Sequence, residues 1–139
     1  MRNQATGFAF LSFLTVGLLA VLTFAAVTPE QAAPSGESWL ALIDNGKYME
    51  SWSGASTMFR IQVPAQKWVE MIGAVRGPLG EKRSRKLKNV NHLKTLPGAP
   101  DGNYAVMQFD ASFANKANAV ETLTGDGRRR PVARVGLFY

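Results

Sequence analysis

Beyond residue 33 the apolar positions recur first with the period of a helix and then with the period of a strand. Trp39, Leu42 and Ile43 stand at i, i+3, i+4, one buried helical face, with Ser35 placed to cap it and Pro34 just ahead. Gly46 fits the stop of that helix. Tyr48, Trp52, Ala55 and Phe59 follow at i, i+4, i+7, i+11, a single stripe that predicts one second helix. Pro64 stands where a third begins, since a first-turn proline gives up no hydrogen bond. Trp68, Ile72 and Val75 continue it until Gly77-Pro78. The spacing thus predicts three short helices over residues 36–76.

The second half alternates. Residues 86–95 are weakly patterned and lead into Leu96-Pro97-Gly98-Ala99-Pro100-Asp101-Gly102, a cluster of turn-forming residues. Ala105, Met107 and Phe109 then alternate with Tyr104, Val106 and Gln108. Ala119, Glu121 and Leu123 alternate with Val120, Thr122 and Thr124. Gly125-Asp126-Gly127 makes the next turn, and Ala133, Val135, Leu137 and Tyr139 share one face of a last strand. Helices first and strands afterwards predict an α+β domain, the three helices packed on a curved antiparallel sheet of about four strands.

Residues 7–27 carry no charge and are mostly Phe, Leu, Val, Ala and Gly, with Arg2 ahead and polar Thr28, Glu30 and Gln31 behind. That is the layout of a secretory signal. The run is longer than a usual signal core and close to the ~20 residues that span a bilayer. Two readings of residues 1–33 therefore stand, a cleaved signal peptide or a retained inner-membrane anchor. Residues 34–139 are expected to form one domain, exported to the periplasm or secreted.

The chain has no cysteine and one histidine, His92. Disulfide staples, thiol catalysis and cysteine-ligated metals are excluded, and the donors for a structural zinc site are lacking. No phosphate-binding glycine loop or nucleophile-elbow motif occurs, and no cofactor is implied.

One resemblance is specific. Trp39-Leu40, Asp44-x-Gly46-x-Tyr48, Ser51-Trp52, Phe59, Trp68, Arg76-x-Pro78-Leu79-Gly80 and Ser84-Arg85 follow one another at characteristic spacings. Leu96 to Gly102, Tyr104, Phe109, Ser112-Phe113, Asn115-Lys116 and Glu121-Thr122 continue the series. Together they resemble the bacterial family known as domain of unknown function 4019, over about residues 36–124. The chain departs from the pattern at its end, where Ala133-Arg134-Val135 stands in place of Trp-Arg-Val. The resemblance implies an exported bacterial protein. By analogy it also implies the cone-like fold of nuclear-transport-factor-two-like or cystatin-like domains. It carries over no functional residue.

Among ten carboxylates, Glu121 is the one of most interest, lying mid-strand on the face of Ala119 and Leu123. An inward carboxylate would serve as a general base or ligand anchor, with Tyr104 or Tyr48 at the mouth of a pocket between helices and sheet. The competing reading pairs Glu121 with Lys116, Arg76 or Arg85. Asp44, in Asp44-Asn45-Gly46, reads as a turn-shaping residue. The aromatic residues Trp39, Tyr48, Trp52, Phe59 and Trp68 read as core, with an apolar ligand cavity as the alternative.

The net charge is +6, and ten of sixteen cationic side chains fall in two runs. One holds Lys82, Arg83, Arg85, Lys86, Lys88 and Lys94; the other holds Arg128, Arg129, Arg130 and Arg134. Such runs attract polyanions. Aromatic residues are not interleaved with them, and an exported protein meets little nucleic acid, which argues against that partner. An anionic membrane surface or an envelope protein fits better. The expected function is a non-enzymatic binding or accessory domain of the bacterial envelope, with a small ligand-binding or enzymatic domain as the alternative.

Overall fold

The computed structural model describes the backbone of residues 29–126 and 130–138 and the side chains of residues 32–126. The apolar run 7–27, Arg128, Arg129 and the side chains of Arg130 and Arg134 lie outside the described residues. Four helices precede the strands: α1 (Pro29–Asp44), α2 (Tyr48–Gly54), α3 (Thr57–Gln62) and α4 (Ala65–Leu79). The strands are β1 (Lys82–Leu93), β2 (Tyr104–Phe113), β3 (Lys116–Asp126) and β4 (Arg130–Phe138). Helices followed by an antiparallel sheet make this an α+β domain.

Three of the expected helix boundaries are corrected. The first helix begins at Pro29, so Pro34 lies inside it and Ser35 is not its cap. Pro34 has no N–H for the ladder, but its carbonyl accepts from Ser38 Oγ at 2.8 Å. The stripe from Tyr48 to Phe59 is two helices. Ala55 and Ser56 adopt extended backbone, and Ser56 Oγ accepts from the Phe59 N–H at 3.1 Å, capping α3. The helical spacing survives this break because both short helices turn their apolar residues into the same core. The third expected helix starts at Pro64 as its cap, but it runs past Gly77-Pro78 to Leu79. Gly80, with φ of 73°, ends it. A Cβ there would lie 3.1 Å from that of Ala114, so glycine also admits the β2–β3 turn. Asn115 closes the helix end, its backbone N–H and side-chain amide donating to the carbonyls of Leu79 and Pro78.

The sheet is an antiparallel meander with neighbours β1-β2-β3-β4. Leu87, Phe109 and Glu121 are in register across the first three strands, as are Val90, Met107 and Leu123. The alternation expected of β2 and β3 holds: Met107, Phe109, Ala111, Glu121 and Leu123 are buried. β4 pairs with β3 from Val120↔Phe138 to Asp126↔Arg130.

The core lies between α1 and this inner face. Trp39, Leu40, Ile43, Phe59, Trp68 and Ile72 meet Met107, Phe109 and Leu123. Each such fully buried apolar side chain contributes about 1.5–3 kcal/mol. Gly36 lets α1 approach, since a Cβ there would lie 3.0 Å from Met107 Sδ and 3.1 Å from Leu123 Cδ2. The aromatic residues are core, as expected. Trp39 and Trp68 pack with ring centroids 5.9 Å apart, and Phe59 meets Trp68 edge-on at 5.2 Å. Their polar atoms converge on Ser51, which is fully buried. Trp39 Nε1 donates to the Ser51 carbonyl at 2.7 Å, Trp68 Nε1 to Ser51 Oγ at 2.9 Å. No helix of the described residues is long and apolar enough to cross a membrane.

Candidate functional site

Four charged side chains, distant in sequence, meet at the edge of the core. Asp44 ends α1, Arg76 lies in the last turn of α4, Arg85 is on β1 and Glu121 is in the middle of β3. Strand alternation puts Glu121 and Arg85 there. Glu121 pairs with Phe109, and Arg85 pairs with Ala111 two residues further along β2, so both face the inner side. Helical spacing places Arg76 one turn beyond Ile72 on the buried face of α4. Glu121 is 2% exposed and Arg76 6%.

The four groups form a closed ion network. Arg85 donates from Nε to Glu121 Oε2 at 2.5 Å and from Nη2 to Glu121 Oε1 at 3.0 Å. It also donates from Nη1 to Asp44 Oδ2 at 2.6 Å and from Nη2 to Asp44 Oδ1 at 3.0 Å. Arg76 donates to Asp44 Oδ1 and, at 3.4 Å, to Glu121 Oε1. Each arginine thus bridges both carboxylates, and every carboxylate oxygen accepts. Two positive and two negative charges balance, which is the condition under which buried charge is tolerated. Burial lowers the pKa of Arg85, but the hydrogen bonds it donates to Asp44 and Glu121 and their charges outweigh it, and the net shift is upward.

Two further features bear on the network, one favourable and one that the arginines offset. The Arg76 guanidinium sits 4.4 Å from the centre of the Phe113 ring, a cation–π contact. Asp44 places a negative charge at the C-terminal end of α1, where the helix dipole disfavours it, and the two arginines compensate.

Glu121 therefore points inward, as its strand face predicts, and its partners are two of the three cations named for it, Arg76 and Arg85. Of the two tyrosines grouped with it as a pocket, Tyr104 is not brought to it. Tyr104 pairs with Asp126, five residues along β3 from Glu121, roughly 17 Å at strand rise. Its hydroxyl donates to the Pro100 carbonyl at 2.5 Å. Tyr48 opens α2, and its ring lies against Gly73 of α4.

Asp44 read chiefly as a turn residue, because its two arginine partners come from α4 and β1. The available signal was electrostatic: two inward arginines need a second carboxylate, and Asp44 stands one residue after the buried Ile43.

The first basic run divides along β1. Arg83, Lys86 and Lys88 are exposed and Lys82 is half-buried. Arg85 is a correction, because it belongs to the buried network and is absent from that exposed surface. Leu87 shares its inward parity, which is the local sign of its direction. Lys88 meets Asp110 at 3.2 Å, an exposed pair of little energetic weight. Lys94 is exposed and bonds Asn103. His92 is exposed at the far end of β1. Among the described residues no group of three or more His, Cys, Asp or Glu side chains is placed to hold a metal ion.

These elements define a small α+β domain with a saturated ionic centre and a basic edge strand. Residues 35–131 match the profile described as Protein of unknown function (DUF4019), and the chain belongs to that family. No curated protein and no solved structure matches the chain.

Proposed function

We propose that this chain is a non-enzymatic binding or accessory domain of the bacterial envelope, and that its working surface is the outward side of β1. One observation carries the reading: the charges are segregated. The buried ionic groups saturate one another, so neither carboxylate oxygen pair is left to act on a substrate. The unsaturated charge is outside, where Arg83 and Lys86 have no ionic partner among the described residues. The apolar run 7–27 supports export, with the domain released or anchored beside the membrane. With β4 as the fourth strand, we read the sheet as the cone of nuclear-transport-factor-two-like and cystatin-like domains. The order of helices before a meander supports that analogy.

The test is retention of the full chain on immobilised polyglutamate and on anionic vesicles, at low and physiological salt. Lys86→Glu/Lys88→Glu is expected to lower retention at least about tenfold on the surface that binds. Retention unchanged by the charge reversal, or equal on neutral and anionic surfaces, overturns the proposal.

A further inference from the structure

β1 is an edge strand of unusual length. It runs twelve residues, from Lys82 to Leu93, and β2 is its only strand neighbour among the described residues. At strand rise this is roughly 40 Å of backbone. In an antiparallel edge, alternate residues turn both N–H and C=O away from the partner, a ready template for another strand. Backbone bonds outside the ladder occur just beyond its ends, where Glu81 accepts from Ala114 and Lys94 accepts from Gly102. The strand contains no proline, so no donor is missing from the row. Arg83, Ser84, Lys86, Lys88, Asn89, Asn91, His92 and Leu93 are all exposed along it.

Such an edge risks self-association, and its charge pattern decides which strand it accepts. A second copy laid antiparallel along β1 would set Lys86 against Asn89 and Arg83 against His92, so it offers these cations no carboxylate to pair with. The shift in register between Leu87 and Asn89 and the inward Arg85 are further devices against indiscriminate pairing. An acidic strand meets the opposite condition. Its carboxylates face Arg83, Lys86 and Lys88, while its backbone completes the open ladder. Lipid headgroups answer the charge but not the row of backbone donors and acceptors.

We propose that β1 binds an extended, acidic segment of a partner protein by strand addition, the peptide extending the sheet past its first strand. This rests on the reading of β1 as the working surface and names the partner chemistry. Repulsion of like charges and attraction of opposite ones then supply specificity together.

The test uses the full chain and three synthetic peptides of alternating Glu and Thr. One is unmodified, one carries N-methyl groups on alternate amides, and one has Lys in place of Glu. Binding is read by fluorescence anisotropy, and protection by amide hydrogen exchange across residues 82–93. The unmodified peptide is expected to bind and to slow exchange in β1, with affinity falling about tenfold or more on N-methylation and on Lys86→Glu/Lys88→Glu. Equal binding of the N-methylated peptide overturns strand addition while leaving the basic surface intact. Protection of β1 by anionic vesicles but not by the acidic peptide overturns the protein partner in favour of lipid. Binding that ignores the charge reversal overturns both this proposal and the reading beneath it.

Discussion

Arg85 and Lys86 are adjacent residues of the same charge on the same strand, and they do opposite things. Arg85 faces Ala111 and the inner layer, where it holds Asp44 and Glu121. Lys86 stands opposite Asp110 in the strand register on the outer side and is exposed. The difference comes from the pleat alone, which sends successive side chains to opposite faces. Inside, a cation is worth what its partners make of it, and its removal leaves two buried carboxylates to share Arg76. Outside, solvent screens it, and its removal costs the fold little. Charge in this protein is therefore structural or available according to strand parity.

The sharpest way to break this comparison is to delete single members of each set. Glu121→Ala leaves two guanidinium groups competing for Asp44, and the expected loss is about 3–5 kcal/mol in urea unfolding. Glu121→Leu together with Arg85→Met is expected to recover much of that loss, since an apolar replacement of both partners avoids an unpaired buried charge. Gly36→Val tests the neighbouring apolar layer. It would drive a side chain into Met107 and Leu123, and about 1–3 kcal/mol of destabilisation is expected. Lys86→Ala, by contrast, is expected to move stability by no more than about 0.5 kcal/mol.

The smallest effect concerns pH. The pKa of Arg85 is raised by folding, so its stabilisation is present from neutral pH up to its unfolded pKa. It is lost only as pH rises through the still higher folded value. The stability gap between the native chain and Arg85→Gln should thus stay constant from neutral pH to about pH 10. A gap that shrinks over that range would show that another group sustains the network.

Much of the fold was legible because period and burial agree. The alternation of Ala105, Met107 and Phe109, and of Ala119, Glu121 and Leu123, gives β2 and β3 directly. The helix count was not legible, since Tyr48, Trp52, Ala55 and Phe59 keep helical spacing across a break made by one capping serine, Ser56. The start of α1 was hidden by Pro34, which reads as a boundary and lies inside the helix. β1 was faint because its outward positions are Lys, Ser and Asn, and its inward ones include Arg85. That inward arginine is also why the site was only half visible. A basic run looks like a single surface until the pleat assigns each residue a side.

The most direct test of this division of labour compares Arg85→Gln with Lys86→Gln. Each is measured for stability in urea and for retention on the acidic probe, per folded molecule. Arg85→Gln should lose stability by about 3 kcal/mol or more and keep its retention, while Lys86→Gln should keep its stability and lose retention. The opposite pattern, or equal effects of the two substitutions on both measurements, would contradict the account.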